Sequence, residues 1–217
     1  MRGDVTDSGI MRVLSKICDI VCLNVLWLVC SLPIITIGAS TTALYTVMLK
    51  LVKNEEGYIF KGFLHAFKLN FKQSTIIWLI LLLCGGVCFV DYRISEMMPG
   101  TLGMVFKSIF LLLAFFLISV TIYSFALTAR YENTIGATLK NALLLTVAKL
   151  PYTILMTALT VGAVVLSWWN TGILMLTIPV WILAGTGIHS CILRRVFRVF
   201  DEKAEGGDEE ERTDMEE

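Results

Sequence analysis

Residues 74–92 read STIIWLILLLCGGVCFVDY, and this stretch decides the fold. Asp91 is its only charged residue, and the apolar residues before it run on without the alternation of a half-buried strand. A helix that crosses the hydrocarbon core of a bilayer needs roughly 20 apolar residues, with about 17 as a lower limit. The stretch therefore predicts a membrane-spanning helix.

Three further runs of the same kind follow, at Phe106–Ala129, Leu150–Trp168 and Gly172–Leu193. Over the whole chain, 56% of the 217 residues are hydrophobic and only 17% are charged, whereas about a quarter of the residues of a soluble domain are charged. A soluble fold of this size could not hide so much apolar surface, because a large share of its surface must face water. The composition excludes a soluble globular protein and indicates an integral membrane protein.

The first 53 residues contain an apolar stretch, from residue 17 to about residue 52, that is too long for one span. Pro33 divides it, and the small residues 38–43 follow. We predict two helices, about Met11–Ser31 and Ser40–Lys53, joined by a Pro/Gly bend; a re-entrant half-helix is the alternative. The expected fold is all-α: a polytopic transmembrane bundle of about six helices, with the first two forming the broken hairpin.

The distribution of basic residues orients this bundle. Lys and Arg prefer the cytoplasmic side of a membrane. If residues 54–73 and 130–149 are cytoplasmic, and the first 53 residues form a hairpin, only Arg93 and Lys107 lie outside. We therefore expect a multi-pass protein of the plasma membrane with both termini in the cytoplasm.

Residues 54–73 read NEEGYIFKGFLHAFKLNFKQ and predict a basic amphipathic helix at the membrane surface. Aromatic and aliphatic residues recur there at helical spacing, and basic residues recur on the flank of that face. Glu55 and Glu56 stand where the start of a helix favours carboxylates. Two interpretations stay open: the segment binds anionic lipid headgroups, or its phenylalanines dock into a partner protein. The candidate surface consists of Glu55, Glu56, Lys61, Phe63, His65, Phe67, Lys68 and Lys72.

The chain ends in an acidic segment. Residues 201–217 contain ten Asp and Glu against two Lys and Arg, while residues 1–200 contain eight acidic and sixteen basic residues. Such a composition is typical of solvated, disordered chain. We divide the protein into a membrane bundle at 1–200 and an acidic, disordered cytoplasmic tail at 201–217, which could instead shield the basic inner face.

The two halves of the bundle align at an offset of 77 residues. Glu55 then matches Glu132, and Lys72 matches Lys149. Residues 132–149 form a weaker version of the first amphipathic segment. The identity is low, so a duplication remains one interpretation of the pattern.

Polar and bend-forming residues at membrane depth are the default candidates for function. Asn24 lies near the middle of the first helix, where its amide can either bond to a neighbouring helix or contact a ligand. The bend adds four candidates. The complete set is Asn24, Pro33, Thr36, Gly38 and Ser40.

The chain offers little material for catalysis or metal binding. His65 and His189 are its only histidines, and no His or carboxylate joins the cysteine pairs at ligand spacing. The carboxylate nearest to the first span, Asp19, stands one turn from Lys16 near the interface, which argues modestly against proton-coupled transport. We predict that the protein is not an enzyme, has no cofactor or metal and binds no nucleic acid.

The run from Asn24 to residue 82 resembles the YesL family of bacterial membrane proteins. The resemblance depends on TIGAS at 36–40, on EEGY at 55–58 and on ARYENTIGATLKNALLL from Ala129, and it covers roughly residues 10–195. It implies a Firmicute-type plasma-membrane protein associated with carbohydrate-uptake genes and binding-protein-dependent sugar transporters. It implies no catalytic residues.

These observations favour a non-enzymatic accessory or regulatory component of sugar uptake by ABC-type transporters, in contact with their subunits. The alternative is a small, oligomeric transporter or channel in its own right. A membrane-embedded enzyme acting on lipid or glycan ranks third.

Overall fold

The structure is a computed structural model, and it describes residues 4–53, 58–169 and 185–198. All regular structure in these residues is helical, which confirms the all-α prediction. The helices are α1 (Asp4–Cys30), α2 (Ile37–Val52), α3 (Ile59–Met97), α4 (Gly100–Arg130), α5 (Ile135–Ala148), α6 (Leu150–Trp169) and α7 (186–198), with one 3-10 turn at Ile34–Thr36 before α2.

The number of spans differs from the expected six. Among the described residues, three helical stretches are long and apolar enough to cross a membrane: Ile34–Val52, α3 and α4. The pair α5 and α6 makes a fourth if it is counted as one broken span. Most of the predicted span Gly172–Leu193 lies outside the described residues, so about six spans are not confirmed.

The chain bends at Pro33, as predicted. α1 ends at Cys30, and the 3-10 turn leads directly into α2. The Thr36 hydroxyl lies 2.6 Å from the Cys30 carbonyl oxygen and 2.7 Å from that of Pro33, so its proton satisfies a carbonyl left open at the end of α1. The Thr36 side chain therefore stabilises the bend.

α2 is the central helix of the bundle and contacts α1, α3 and α4. In its span window 61% of residues are buried, against 22% for α3 and 33% for α4. Lipid tails are as apolar as leucine, so membrane helices associate by close packing and hydrogen bonds. Small residues on α2 permit this packing, with Ala39, Ser40 and Ala43 fully buried.

α3 is a single helix of 39 residues. It joins the predicted amphipathic segment to the predicted span Ser74–Tyr92 without a break. Pro99 and Gly100 form the turn to α4, where Gly100 has a φ of 79° that only glycine adopts readily. The predicted span Phe106–Ala129 lies within α4.

α5 and α6 meet at a bend of 101°. Pro151 is the second residue of α6, and a proline in the first turn lacks only an N–H that has no helical partner there. A helix that continued from α5 would bring the proline ring against the Val147 carbonyl group, four residues earlier. The chain therefore leaves helical geometry at Lys149, and α6 starts beside the proline.

Large apolar side chains cover the outer surfaces of the bundle. They are exposed along the second half of α3 and the first half of α4, for example Leu83, Phe89 and Leu112. Exposed apolar area on this scale marks contact with a membrane rather than with water. The helices and this surface together indicate a membrane-spanning protein.

Candidate functional site

A cleft of about 1370 Å³ opens at one end of the bundle. We call it the basic cleft, and we call this end of the bundle the basic end. The end of α2, the first half of α3, the end of α4 and the loop after α4 line the cleft. The described lining residues are Thr46, Val47, Lys50, Leu51, Tyr58, Ile59, Lys61, Gly62, His65, Ala66, Leu69, Asn70, Gln73, Thr128, Ala129, Arg130, Tyr131, Glu132, Asn133 and Thr134.

The packing of α3 on α2 decides which side chains face the cleft. Phe63 and Ala66 are buried in an apolar cluster with Leu23, Val47 and other residues of α1 and α2. This contact fixes the rotation of α3. Lys61 and His65 stay exposed and line the basic cleft as a result.

Positive charge dominates the described lining, where Lys50, Lys61 and Arg130 stand against a single carboxylate, Glu132. The Lys61 ammonium lies 5.3 Å from the centre of the Tyr58 ring, a distance at which a cation is attracted to the aromatic face. The lining therefore favours an anionic occupant.

Hydrogen bonds fix the inner wall of the cleft. The Gln73 amide on α3 donates to the Asn133 carbonyl oxygen at 2.8 Å, which attaches the loop after α4 to α3. The Asn70 amide donates to the Ala66 carbonyl oxygen at 3.1 Å. These bonds hold the Asn70 and Gln73 side chains at the wall of the cleft.

The predicted amphipathic residues are divided by this arrangement. Phe63 is fully buried, so it cannot belong to a lipid-facing or partner-facing surface. Phe67 is half-buried and its ring stacks at 6.3 Å from that of Phe63. Lys68 and Lys72 are exposed but do not line the cleft. Glu55 and Glu56 lie outside the described residues.

The bend residues Pro33, Thr36, Gly38 and Ser40 do not line the basic cleft. A Cβ on Gly38 would lie 2.6 Å from both the Ser74 carbonyl oxygen and the Trp78 Cβ. We call this close approach of α2 and α3 the Gly38 crossing. Ser40 is buried and donates its hydroxyl proton to the Thr36 carbonyl oxygen at 2.9 Å. Gly38 and Ser40 are thus closely packed, whereas Pro33 is exposed at the bend.

Asn24 is also buried rather than placed in a cavity. Its amide donates to the Ile20 carbonyl oxygen at 2.8 Å and to the Thr186 hydroxyl at 3.3 Å. His189 lies 3.2 Å from the Thr160 hydroxyl and 2.9 Å from the Gly185 carbonyl oxygen. Both side chains join α7 to neighbouring helices, which supports a packing role for each.

Several cleft residues were not predicted as site residues. Lys50, Asn70, Gln73, Arg130 and Asn133 come from three separate parts of the chain. Each stands at the edge of an apolar run, where a basic or amide residue is ordinary. Only the packing of α2, α3 and α4 brings them together.

Within the described residues, no group of three or more His, Cys, Asp and Glu side chains could hold a metal ion. The cleft has donors for an anion instead. Its Lys and Arg side chains can donate hydrogen bonds to the oxygen atoms of a carboxylate or a phosphate.

Comparisons with known proteins place this architecture in a family. Residues 20–92 match the family described as "Protein of unknown function, DUF624". The chain is 32% identical over 149 residues to "Uncharacterized protein YesL" from Bacillus subtilis (strain 168), which covers 66% of this chain and 69% of YesL. No solved structure matches the chain.

A second relative in the same organism is "Uncharacterized protein YteU", which is 29% identical over 143 residues. The match covers 64% of each protein, so the chain spans slightly less than two thirds of YteU. The predicted resemblance is confirmed by the coverage and identity of the YesL match. The chain belongs to the YesL family.

Proposed function

We propose that this protein is a non-enzymatic accessory or regulatory component of carbohydrate uptake, and that it docks an acidic segment of a transport subunit in the basic cleft. The observation that carries the proposal is the lining of the cleft. Lys50 and Lys61 are exposed on two different helices and face one concave space. A concave surface with several cations favours a carboxylate-rich partner over a flat or apolar one.

The orientation in the membrane supports a partner inside the cell. Basic side chains that include Lys50, Lys61 and Arg130 lie at the basic end, while Arg93 and Lys107 lie toward the opposite end. Because Lys and Arg prefer the cytoplasmic side, we infer that the basic end lies on the cytoplasmic side of the plasma membrane, with both termini on that side. The cytoplasmic subunits of a transporter would then meet the cleft.

The link to carbohydrate uptake comes from the family resemblance, which associates such proteins with sugar-transport genes. The non-enzymatic role rests on the positions of the two histidines. His65 is exposed at the basic cleft, whereas His189 is buried between α6 and α7. They do not form one site.

Two charge-reversal pairs test the proposal. Lys50→Glu with Lys61→Glu reverses the cleft, and Lys68→Glu with Lys72→Glu makes the same charge change outside it. We expect the first pair to abolish co-purification with the permease and ATPase subunits of a sugar transporter and to lower sugar uptake as far as deletion does. The second pair should leave both unchanged.

The opposite results have distinct meanings. If wild-type protein captures no transport subunit and deletion leaves sugar uptake unchanged, the proposed function is wrong. If both charge pairs weaken the binding of anionic lipid to the detergent-solubilised protein equally and neither affects the transporter, the basic residues serve lipid headgroups instead.

The alternative, a transporter or channel, gains less support. The described cleft lining comes only from the basic end, and the residues of α2 at the Gly38 crossing are packed against α3. Flux of sugars or ions through liposomes that contain only this protein would favour the alternative.

A further inference from the structure

The last described residues lie beside the basic cleft. The Phe197 ring packs edge-on against the Tyr131 ring at 5.9 Å, and the Arg130 guanidinium lies 5.3 Å from the centre of the Phe197 ring. Arg194 donates to the Val52 carbonyl oxygen at 3.0 Å, near the end of α2. Because Arg130 and Tyr131 line the cleft, the end of α7 lies next to the wall of the cleft.

The chain that follows is opposite in charge to this end of the bundle. Residues 201–217 hold ten acidic and two basic residues, a balance of −8. The segments 50–73, 130–134 and 194–198 hold nine Lys and Arg and three Glu, a balance of +6. The count includes Glu55, Glu56 and Glu132, so positive charge is in excess even after all the carboxylates in these segments are counted.

The tail is long enough to reach the lining of the cleft from the end of α7. Residues 199–217 form 19 residues of chain, and a flexible chain of that length has an end-to-end distance of roughly 25 Å. The lining residue Arg130 is already in contact with Phe197. A segment tethered this closely reaches an effective concentration of the order of millimolar at the cleft.

We propose that the acidic tail, residues 201–217, occupies the basic cleft of its own chain, with its carboxylates paired to Lys50 and Lys61. The tail then acts as an internal competitor that an acidic partner segment must displace. The competition rests on the proposed function, whereas the contact of the tail with the cleft does not. Exposed ion pairs are individually weak and are screened by salt, so the tail can be displaced.

Lysine footprinting of the full-length protein in a non-ionic detergent tests the contact. The variant for comparison keeps all 217 residues and replaces the ten acidic tail residues by Asn and Gln. Acetylation rates are measured at each lysine by mass spectrometry. We expect Lys50 and Lys61 to react at least about threefold faster in the variant, because a tethered segment at high effective concentration shields them in the wild type.

Lys68 and Lys140 are the internal controls, since both are exposed and neither lines the cleft. Their rates should change by less than about half, and about 0.5 M NaCl should raise the wild-type rates of Lys50 and Lys61 toward those of the variant. Equal rates at Lys50 and Lys61 in both proteins overturn the proposal. An equal rise at all four lysines also overturns it, because that result shows only a diffuse effect of tail charge.

Capture of the transport subunits separates this proposal from the proposed function. If the footprint depends on the tail but the Lys50→Glu, Lys61→Glu protein still binds the subunits, the tail contact stands and the docking function is wrong. If that pair abolishes capture while neutralising the tail leaves the footprint unchanged, the docking function stands and the tail proposal is wrong.

Discussion

The first and second halves of the bundle connect an amphipathic segment to the following apolar helix in two different ways. In the first half, the amphipathic segment up to residue 73 and the span that follows it form the single helix α3. In the second half, the corresponding segments are α5 and α6, which meet at 101°. At the offset of 77 residues, Ser74 in the middle of α3 takes the place of Pro151 at the start of α6.

The difference shows how much one residue type decides. Ser74 keeps its backbone N–H, and its hydroxyl donates to that of Thr42 on α2 at 2.8 Å. Pro151 has no N–H, and the bend beside it is held by Thr153, whose hydroxyl lies 3.1 Å from the Thr146 carbonyl oxygen and 3.0 Å from that of Lys149. The continuous helix α3 is thus stabilised by contact with α2, whereas the bend between α5 and α6 is stabilised by the hydroxyl of Thr153.

The largest effect is expected when the proline is moved into the straight half. Ser74→Pro removes a helical hydrogen bond in the middle of α3 and pushes its ring against the preceding turn, so we expect a loss of ~3 kcal/mol or more. The measurement is unfolding in mixed micelles by titration with SDS, followed by circular dichroism. Ser74→Ala is the control, because it removes only the bond to Thr42, worth about 0.6 kcal/mol in a membrane. Similar losses for the two variants would show that the continuity of α3 is unimportant.

The next effect concerns the Gly38 crossing, which supports the straight helix from α2. Gly38→Ala forces a methyl group to within 2.6 Å of the backbone of α3, so we expect a loss of about 2 kcal/mol in the same titration. Gly162→Ala is the matched control in the second half, where a Cβ meets nothing within 4 Å. A neutral Gly38→Ala would mean that α2 and α3 separate without cost.

A smaller effect is expected at the hydroxyl that holds the bend. Thr153 is buried and also contacts the Tyr123 hydroxyl at 3.0 Å. Thr153→Val keeps the shape and removes the hydroxyl partner of Tyr123 and of the Thr146 carbonyl oxygen, so we expect a loss of about 1 kcal/mol. Thr121→Val serves for comparison, because the Thr121 hydroxyl donates to the Leu117 carbonyl oxygen of its own helix. Equal stabilities of the two variants would assign the bend to the proline alone.

The smallest change in stability, and the most direct reading of the comparison, is expected from the reciprocal substitution. Pro151→Ser restores the missing N–H, so part of the population should straighten. Spin labels at Lys140 and Val164, in a background without cysteine, report the angle. At 1.5 Å per residue they lie about 36 Å apart along a straight helix, and about 24 Å apart across a bend of 101°. A distance distribution unchanged from wild type would show that packing against α4, not the proline, sets the bend.

These two halves also show where sequence reasoning succeeds. The apolar runs predicted the apolar part of α3, α4 and the bounds of α6, because a membrane imposes length and composition on each span. Pro33 predicted the break between the first two helices, because a proline acts through the backbone of its own residue and its neighbours. Local chemistry of this kind is legible from the sequence.

Other features depended on packing and were not legible. The change from the basic segment to the apolar span at Gln73 looked like a boundary, but nothing there interrupts the helical backbone, so α3 continues. The assignment of Phe63 to a surface was wrong because the same helical face is buried against α2. The basic cleft combines side chains from α2, α3 and the end of α4, and no local pattern predicts that combination.

The length of α3 has a mechanical consequence. At 1.5 Å per residue its 39 residues measure about 58 Å, nearly twice the thickness of the hydrocarbon core. Its first part packs along α2, from Gly62 beside Val47 to Trp78 at the Gly38 crossing, and its remaining residues carry an exposed apolar surface. The packed part fixes the positions of Lys61 and His65 at the basic cleft. A change in bilayer thickness acts first on the exposed part, where tilt or local deformation of the lipid accommodates the excess length.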